Sequence, residues 1–281
     1  NFFFAARENI MISSICSILK ENFGHEDFIF GQVWLGAMVS DVIASFSIKP
    51  DAVIGYCLGE SVGLFATRTW SNRDLMLKRM QETRLFTHDL GGPCEAVRTC
   101  WDADEDESID WQLGVVDRPA ELVKASLAGH RRVYLMIINT PNECIIGGDR
   151  NAVQAVVRDL ECGLHPLEGV TTVHSEVVRP VQKAYRDLHL FDTTPPKDVD
   201  FYSGITGSRY EVNTDSAADS IMEQALKTFD YTKLINAAYA DGVRIFIEMG
   251  PGASCSRMIG QILGERTHIA RSVCVNGQSD F

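Results

Sequence analysis

Apolar positions in the first part of the chain predict a helix, a strand and a second helix. Residues 28–46 carry apolar side chains at near-helical spacing, and Pro50 ends this pattern because proline disfavours helix in the residue before it. The apolar run at 52–54 predicts a buried strand, and residues 61–67 predict a helix. Between them lies the turn Gly55-Tyr56-Cys57-Leu58-Gly59. Strand, glycine-flanked turn and helix together predict a nucleophile elbow, with Cys57 on a strained backbone.

The remaining pattern predicts a small subdomain inserted into a larger one. Gly91-Gly92-Pro93 marks a boundary, after which short strands and helices alternate up to about residue 172. The apolar pattern then predicts a strand at 199–203, one helix at 220–239, a strand at 243–248 and a last helix at 253–263. We therefore expect an α/β fold with a large subdomain formed by 1–92 and 173–281. Residues 93–172 are expected to form the small subdomain.

Composition and charge exclude several classes of protein. The 281 residues are 45% apolar and 23% charged, which is typical of a globular chain and excludes wholesale disorder. The net charge of −12 argues against a general nucleic-acid binder and disfavours anionic membrane surfaces. Eight cysteines without a CxxC pair predict free thiols, no metal and a cytoplasmic location. Asn1, in place of Met, leads us to expect a piece of a longer polypeptide.

Four motifs in order resemble one enzyme family. The elbow Gly55–Glu60 is similar to the G-H-S-x-G-E of malonyl- and acyltransferases, with Tyr56 and Cys57 as two departures. Residues 133–149 resemble that family's strand, Asn-x-Pro turn and Gly-Gly strand, and Thr171–Ser175 resembles its specificity motif ending in the catalytic His. Phe246–Gly252 resembles its late strand and Gly-Pro-Gly turn. The resemblance is to the acyltransferase (malonyl/acyl-CoA:ACP transacylase) domain of type I polyketide and polyunsaturated-fatty-acid synthases.

This resemblance implies a fold and a mechanism. The fold would be an α/β-hydrolase-like large subdomain with an inserted ferredoxin-like small one. Cys57 would attack an acyl-CoA thioester with His174 as the base, and the phosphopantetheine thiol of an acyl carrier protein would collect the acyl group. The backbone N–H of Leu58 would hold the oxyanion, and the carbonyl of Lys227 would orient His174. No Gly-x-x-Gln segment precedes the elbow, so we expect the second oxyanion donor upstream of the chain.

The resemblance also places substrate and partner contacts. It assigns Tyr56, Asn139 and Val173 to substrate binding, and gap-free counting puts Glu82 where malonyl-selective members carry an arginine. A carboxylate there would repel malonate, which favours a substrate without a free carboxylate. Expected partners are an acyl carrier protein and flanking ketosynthase-type or enoyl reductase-type domains, with no cofactor, nucleic acid or membrane. Candidate docking arginines for the acidic carrier are Arg131, Arg132, Arg68 and Arg73.

Three alternatives stay open from the sequence. Dienelactone hydrolases also place Cys in the elbow, but carry Gly where this chain has Glu60 and have no inserted subdomain. A thioesterase would release the acyl group to water. A catalytically silent domain would place Cys57 and His174 too far apart for a hydrogen bond. The sequence is compatible both with a native Cys57 and with a replaced serine.

Overall fold

Two β-sheets organise the protein. The computed structural model describes residues 2–4, 25–167 and 172–274. The strands are β1 (Phe2–Phe4), β2 (Ala52–Gly55), β3 (Trp111–Val116), β4 (Val133–Thr140), β5 (Glu143–Asp149), β6 (His165–Pro166), β7 (Asp200–Ser203), β8 (Ser208–Tyr210), β9 (Phe229–Asp230), β10 (Ile245–Pro251) and β11 (Ile269–Cys274). The larger sheet has the order β11-β10-β1-β2-β7-β8, and the smaller has the order β6-β3-β5-β4-β9.

Helices connect most of these strands. They are α1 (His25–Ser45), α2 (Gly59–Ala66), α3 (Arg73–Gln81), α4 (Glu95–Trp101), α5 (Ala120–Leu127), α6 (Arg150–Asp159), α7 (Gln182–Leu188), α8 (Thr214–Leu226), α9 (Tyr231–Ala240) and α10 (Ser254–Leu263). A π-helical turn covers Leu85–Asp89, and a 3-10 helix covers Glu176–Val181. The structure therefore has the α/β fold that the alternating pattern predicts.

The larger sheet places the elbow at its centre. β1 pairs in parallel with β10 and β2, β2 pairs in parallel with β7, and β8 closes one edge antiparallel. All four residues of β2 are buried, as expected for a central parallel strand covered on both faces. Residues from α1, α2 and α8 form the core on one face, and α9 and α10 pack on the other. The turn after β2 thus lies at the carboxyl edge of the sheet, where parallel α/β folds bind ligands.

The smaller sheet packs between its own helices and the larger subdomain. Val123 of α5 and Val153 of α6 join the core on one of its faces. Leu113 and Met136, on the other face, share a core with α9 and α10. Four of its five strands come from residues 111–166, but β9 comes from 229–230 and pairs in parallel with β4. The boundaries at 93 and 172 stay a prediction.

One predicted helix is wrong. The apolar pattern at 220–239 predicts a single helix, but α8 ends at Leu226 and α9 begins at Tyr231, with β9 between them. Phe229 is fully buried and pairs with Ile137 of β4, so sheet pairing overrides the helical pattern here. The sequence pattern also did not predict β3 and α4, which the structure places before α5.

The structure can be compared with the expectations for cysteines, metal sites and membrane-spanning helices. Cys57, Cys94, Cys100, Cys144, Cys162 and Cys255 are free thiols, while Cys16 lies outside the described residues. Across the described ranges, no group of three or more His, Cys, Asp or Glu residues is placed to hold a metal ion. Nor is any described helix both long and apolar enough to cross a membrane.

Candidate active site

The turn after β2 is a strained elbow. Cys57 has a φ of 53°, in the left-handed region that costs a non-glycine residue about 1–3 kcal/mol. A methyl group at Gly55 would lie 2.5 Å from the Gly59 carbonyl carbon and would overlap the backbone of Glu60. Only glycine therefore allows β2 and the start of α2 to approach this closely. The strand, turn and helix predicted around Cys57 are present in the structure.

Cys57 and His174 form a hydrogen-bonded dyad. The distance between Cys57 Sγ and His174 Nε2 is 3.0 Å, and the distance between His174 Nδ1 and the carbonyl oxygen of Gln224 is 2.8 Å. A carbonyl can only accept, so Nδ1 carries the proton and Nε2 accepts from the thiol. The two residues are 117 positions apart in sequence. This contact contradicts the silent-domain alternative, which requires them to be separated.

The end of α8 holds the histidine. The His174 backbone N–H donates to the carbonyl of Ala225 at 2.6 Å, and the Ser175 N–H donates to the same oxygen at 3.2 Å. Carbonyls in the last turn of a helix lack intrahelical partners and are available for such bonds. His174 has a φ of 69°, so both members of the dyad have left-handed backbone conformations. These backbone bonds to α8 stabilise that strained conformation.

The predicted orienting carbonyl of Lys227 is wrong. The carbonyl that accepts from His174 Nδ1 belongs to Gln224, three residues earlier. Lys227 follows α8 with extended backbone, and its Nζ pairs with Glu223 at 2.7 Å. The accepting carbonyl belongs to the last turn of α8, which ends at Leu226, and Lys227 already lies beyond that turn. No motif in the sequence distinguishes Gln224 from its neighbours.

Burial keeps the dyad neutral. Desolvation raises the pKa of the Cys57 thiol to about 11, although the Leu58 N–H lowers it. Desolvation also lowers the pKa of His174 to about 4, opposed by the bond to Gln224. The thiol and imidazole therefore both lack charge at neutral pH. The N-terminus of α2 would favour a thiolate at Cys57, but desolvation is the larger effect on its pKa.

The Leu58 N–H points to the space occupied by the thiol. It hydrogen-bonds Cys57, and Leu58 immediately precedes the first turn of α2. A donor in this position also reaches an oxygen on a carbonyl carbon bonded to Cys57 Sγ. The expectation of a second oxyanion donor upstream of the chain stays a prediction.

Two predicted substrate residues bind each other. The Tyr56 hydroxyl donates to Asn139 Oδ1 at 2.6 Å, and Asn139 Nδ2 donates to Glu143 Oε1 at 2.7 Å. Tyr56 also packs edge-on against the rings of Phe229 and Tyr231, with centroids 5.3 and 5.2 Å away. Asn139 is fully buried. These contacts tie the elbow to β4 of the smaller sheet, and a role of either residue in substrate binding stays a prediction.

The residues near the predicted carboxylate-binding position have other contacts. Glu82 follows the end of α3, with 63% of its side chain exposed and Lys78 Nζ at 3.8 Å. Arg79, three residues before Glu82, has several partners. Its guanidinium donates to the carbonyls of Leu188 and Leu190 at 3.3 and 2.7 Å and lies over the Phe191 ring. Val173 is half-buried and packs against the core that contains α2 and α8.

Known proteins resemble this chain in sequence and in fold. No protein-family model matches the chain. It is 25% identical over 240 residues to one subunit of the polyunsaturated fatty acid synthase of Thraustochytrium, covering 79% of this chain and 12% of that protein. It is 25% identical over 221 residues to the malonyl CoA-acyl carrier protein transacylase of Bacillus subtilis, covering 76% and 65%. The acyltransferase domain of the polyketide synthase PpsC of Mycobacterium tuberculosis superposes with a TM-score of 0.73 at 16% identity, covering 96% of this chain and 89% of that domain.

This chain has the acyltransferase fold. The relatives are polyunsaturated-fatty-acid and polyketide synthases and a malonyl CoA-acyl carrier protein transacylase, and the structural neighbours are acyltransferase domains of polyketide synthases and malonyl-CoA:ACP transacylases. The resemblance predicted from the sequence is therefore confirmed. The two subdomains predicted from that resemblance are confirmed with it. The chain spans about an eighth of the synthase polypeptide it matches.

Proposed function

We propose that this chain is an acyltransferase that carries an acyl group as a thioester on Cys57. The observation that supports this most directly is the 3.0 Å contact between Cys57 Sγ and His174 Nε2. The donor is an acyl-CoA, and the acceptor is the phosphopantetheine thiol of an acyl carrier protein. The relatives are synthases or act on a carrier protein, as their names state, which supports this acceptor.

The first half-reaction begins from neutral groups. His174 Nε2 takes the thiol proton as Cys57 Sγ attacks the thioester carbonyl carbon, so thiolate forms only during the attack. The Leu58 N–H donates to the oxyanion. The imidazolium is stabilised by the Gln224 carbonyl and by the negative end of the α8 dipole. When the tetrahedral intermediate collapses, CoA leaves with this proton as its thiol.

The second half-reaction reverses these roles. The phosphopantetheine thiol gives its proton to His174 and attacks the Cys57 thioester. Collapse of the second intermediate returns Cys57 as leaving group, which recovers the proton from His174. Both half-reactions exchange one thioester for another, so neither is strongly favoured in free energy. Transfer is therefore expected to be reversible.

The neutral site favours an acyl group without a free carboxylate. Neither the Cys57 pKa nor the His174 pKa is shifted by a charged side chain of the described residues. Arg79, three residues before the predicted carboxylate-binding position, is bonded to backbone carbonyls instead. Among the candidate docking arginines, Arg68 already pairs with Asp41 and Arg132 with Glu107. Arg131 and Arg73 are therefore better candidates to contact an acidic carrier protein. Flanking synthase domains and a cytoplasmic location stay predictions.

Intact-mass spectrometry tests the proposal. The protein is mixed briefly with acetyl-, malonyl- or a long-chain acyl-CoA, beside Cys57→Ala and His174→Ala variants. We expect the mass of one acyl group on the wild type, none on Cys57→Ala, and discharge on addition of phosphopantetheinylated carrier protein. An adduct that water discharges as fast as carrier protein does would identify a hydrolase. No adduct from any donor would contradict acyl transfer through Cys57.

A further inference from the structure

Glu60 is a buried carboxylate that the proposed reaction does not use. It is 4% exposed and lies in the first turn of α2, where its backbone N–H donates to the Cys57 carbonyl at 3.2 Å. Four groups donate to its two oxygens: Ser220 Oγ at 2.6 Å, Tyr210 Oη at 3.1 Å, Gln224 Nε2 at 2.9 Å and Gly204 N at 3.3 Å. Within the described residues, no Lys, Arg or His forms an ion pair with it. Four neutral donors therefore stabilise this carboxylate.

Gln224 joins this carboxylate to the dyad. Its side-chain amide donates to Glu60 Oε2, while its backbone carbonyl accepts from His174 Nδ1. The amide is tightly packed, because a methyl group at Gly204 would overlap it and lie 2.8 Å from the Phe229 ring. A carboxylate accepts only, so it also fixes which way the amide faces. Both ends of Gln224 are thus held, one by Glu60 and the other by the catalytic histidine.

The same carboxylate is fixed to the nucleophile by the backbone. Glu60 is three residues from Cys57 and shares its turn, so a movement of Glu60 relative to α8 changes the distance between Cys57 and His174. The two members of the dyad come from segments 117 residues apart. The bond between Glu60 and Gln224 joins the turn of the nucleophile to α8, and α8 holds His174, so this bond is a polar link between the two segments through α8, additional to the dyad itself.

We propose that Glu60 is a positioning residue that sets the distance between Cys57 and His174 through the side-chain amide of Gln224. The proposal rests on the proposed function, because it assumes that His174 serves Cys57 as a base. It requires the hydrogen bond from Gln224, and it does not require the charge of Glu60. A glutamine at position 60 keeps that bond, since its carbonyl oxygen faces Gln224 and its NH₂ faces two hydroxyls, which can accept.

The test compares Gln224→Leu and Glu60→Leu, which remove the bond, with Glu60→Gln, which keeps it. Glu248→Leu is the matched control, because Glu248 is also a buried carboxylate, 1% exposed, but binds the start of α10. Four quantities are measured: the thermal unfolding midpoint, the iodoacetamide alkylation rate of Cys57, and kcat and KM for acyl-CoA. We expect both bond-removing variants to lose at least about tenfold in alkylation rate and in kcat, with KM within about twofold. Glu60→Gln should retain most of both rates, and Glu248→Leu should lose stability alone.

The possible outcomes distinguish a failure of the positioning role from a failure of the proposed function. If His174→Ala does not slow alkylation of Cys57, the dyad and the proposed function both fail. If His174→Ala slows alkylation but folded Gln224→Leu does not, only the positioning role is overturned. Equal losses in Glu60→Gln and Glu60→Leu would also overturn it, since the charge rather than the bond would then matter. A raised KM with unchanged kcat would assign these residues to substrate binding instead.

Discussion

Replacing Gly55 by alanine tests the geometry of the elbow. The added methyl group would lie 2.5 Å from the Gly59 carbonyl carbon, whereas ordinary contact begins at 3.4 Å. The backbone of β2 or of the start of α2 must therefore shift by at least about 0.9 Å, because the Glu60 backbone lies closer still and no flexible side chain is available to move. Overpacking of this kind costs about 1–3 kcal/mol. For a chain of this size that corresponds to a fall of roughly 2–12 °C in the unfolding midpoint.

The same shift should affect the reaction more than the stability. Gly55 precedes Cys57 by two residues, and the 3.0 Å contact between Cys57 Sγ and His174 Nε2 leaves little tolerance for a displaced backbone. A misplacement of about 1 Å costs on the order of 10²-fold in rate. We therefore expect Gly55→Ala to lose at least about 10²-fold in the rate of acyl-adduct formation at temperatures where it remains folded.

Gly260→Ala is the matched control. Gly260 lies in α10 with nothing within 4 Å of an added methyl group, so alanine should stabilise the helix by about 0.5–1 kcal/mol without changing the rate. Unfolding is followed by circular dichroism, and acylation by rapid-quench mass spectrometry. A Gly55→Ala protein with wild-type stability and wild-type acylation would refute the argument that glycine is needed to close the elbow.

Three other predictions concern pH and polar contacts. Burial lowers the His174 pKa to about 4 and raises the Cys57 pKa to about 11. We therefore expect kcat/KM to be level from about pH 5 to 10 and to fall near pH 4. A fall in kcat/KM at pH 6–7 would contradict the neutral dyad. Tyr56→Phe should cost about 1–3 kcal/mol in urea unfolding, because it leaves the buried oxygen of Asn139 without its donor; an unchanged midpoint would contradict that pairing. Burial also lowers the pKa of His189 to about 4, so this residue destabilises the fold by about 1.4 kcal/mol per pH unit as pH falls from about 6 to 4. His189→Gln should reduce that slope, and an unchanged slope would contradict the burial of a neutral imidazole.

The direction of the His189 effect on stability follows from which state of the chain binds the proton. At pH 5 an unfolded chain protonates a histidine with an ordinary pKa near 6.5, while the buried imidazole stays neutral. Unfolding then takes up a proton, so lower pH favours the unfolded state. The effect is absent above about pH 6.5 and complete below about pH 4. Glu60 acts oppositely, because burial raises its pKa and the folded state holds its proton to higher pH.

Local sequence was sufficient to predict the elbow and its nucleophile. A buried apolar strand, two glycines at fixed spacing and a following helix constrain the backbone over a short stretch, so the strained conformation of Cys57 is a local property. The alternation of strands and helices likewise predicted the α/β class. The resemblance to the acyltransferases, carried by four motifs, implied His174 as the partner of Cys57, and the two side chains are in direct contact in the structure.

Only the tertiary structure decided how the dyad is supported and charged. Gln224 accepts from His174 because α8 ends beside it, and that end depends on Phe229 pairing with β4, far away in sequence. The neutrality of the dyad depends on desolvation by residues from several elements, which no local pattern records. Glu60 was visible in the sequence as part of a motif, but its link to His174 requires α2 and α8 to meet. Bond geometry within a turn is encoded locally, whereas burial and the partners of buried polar groups are fixed only when distant segments pack.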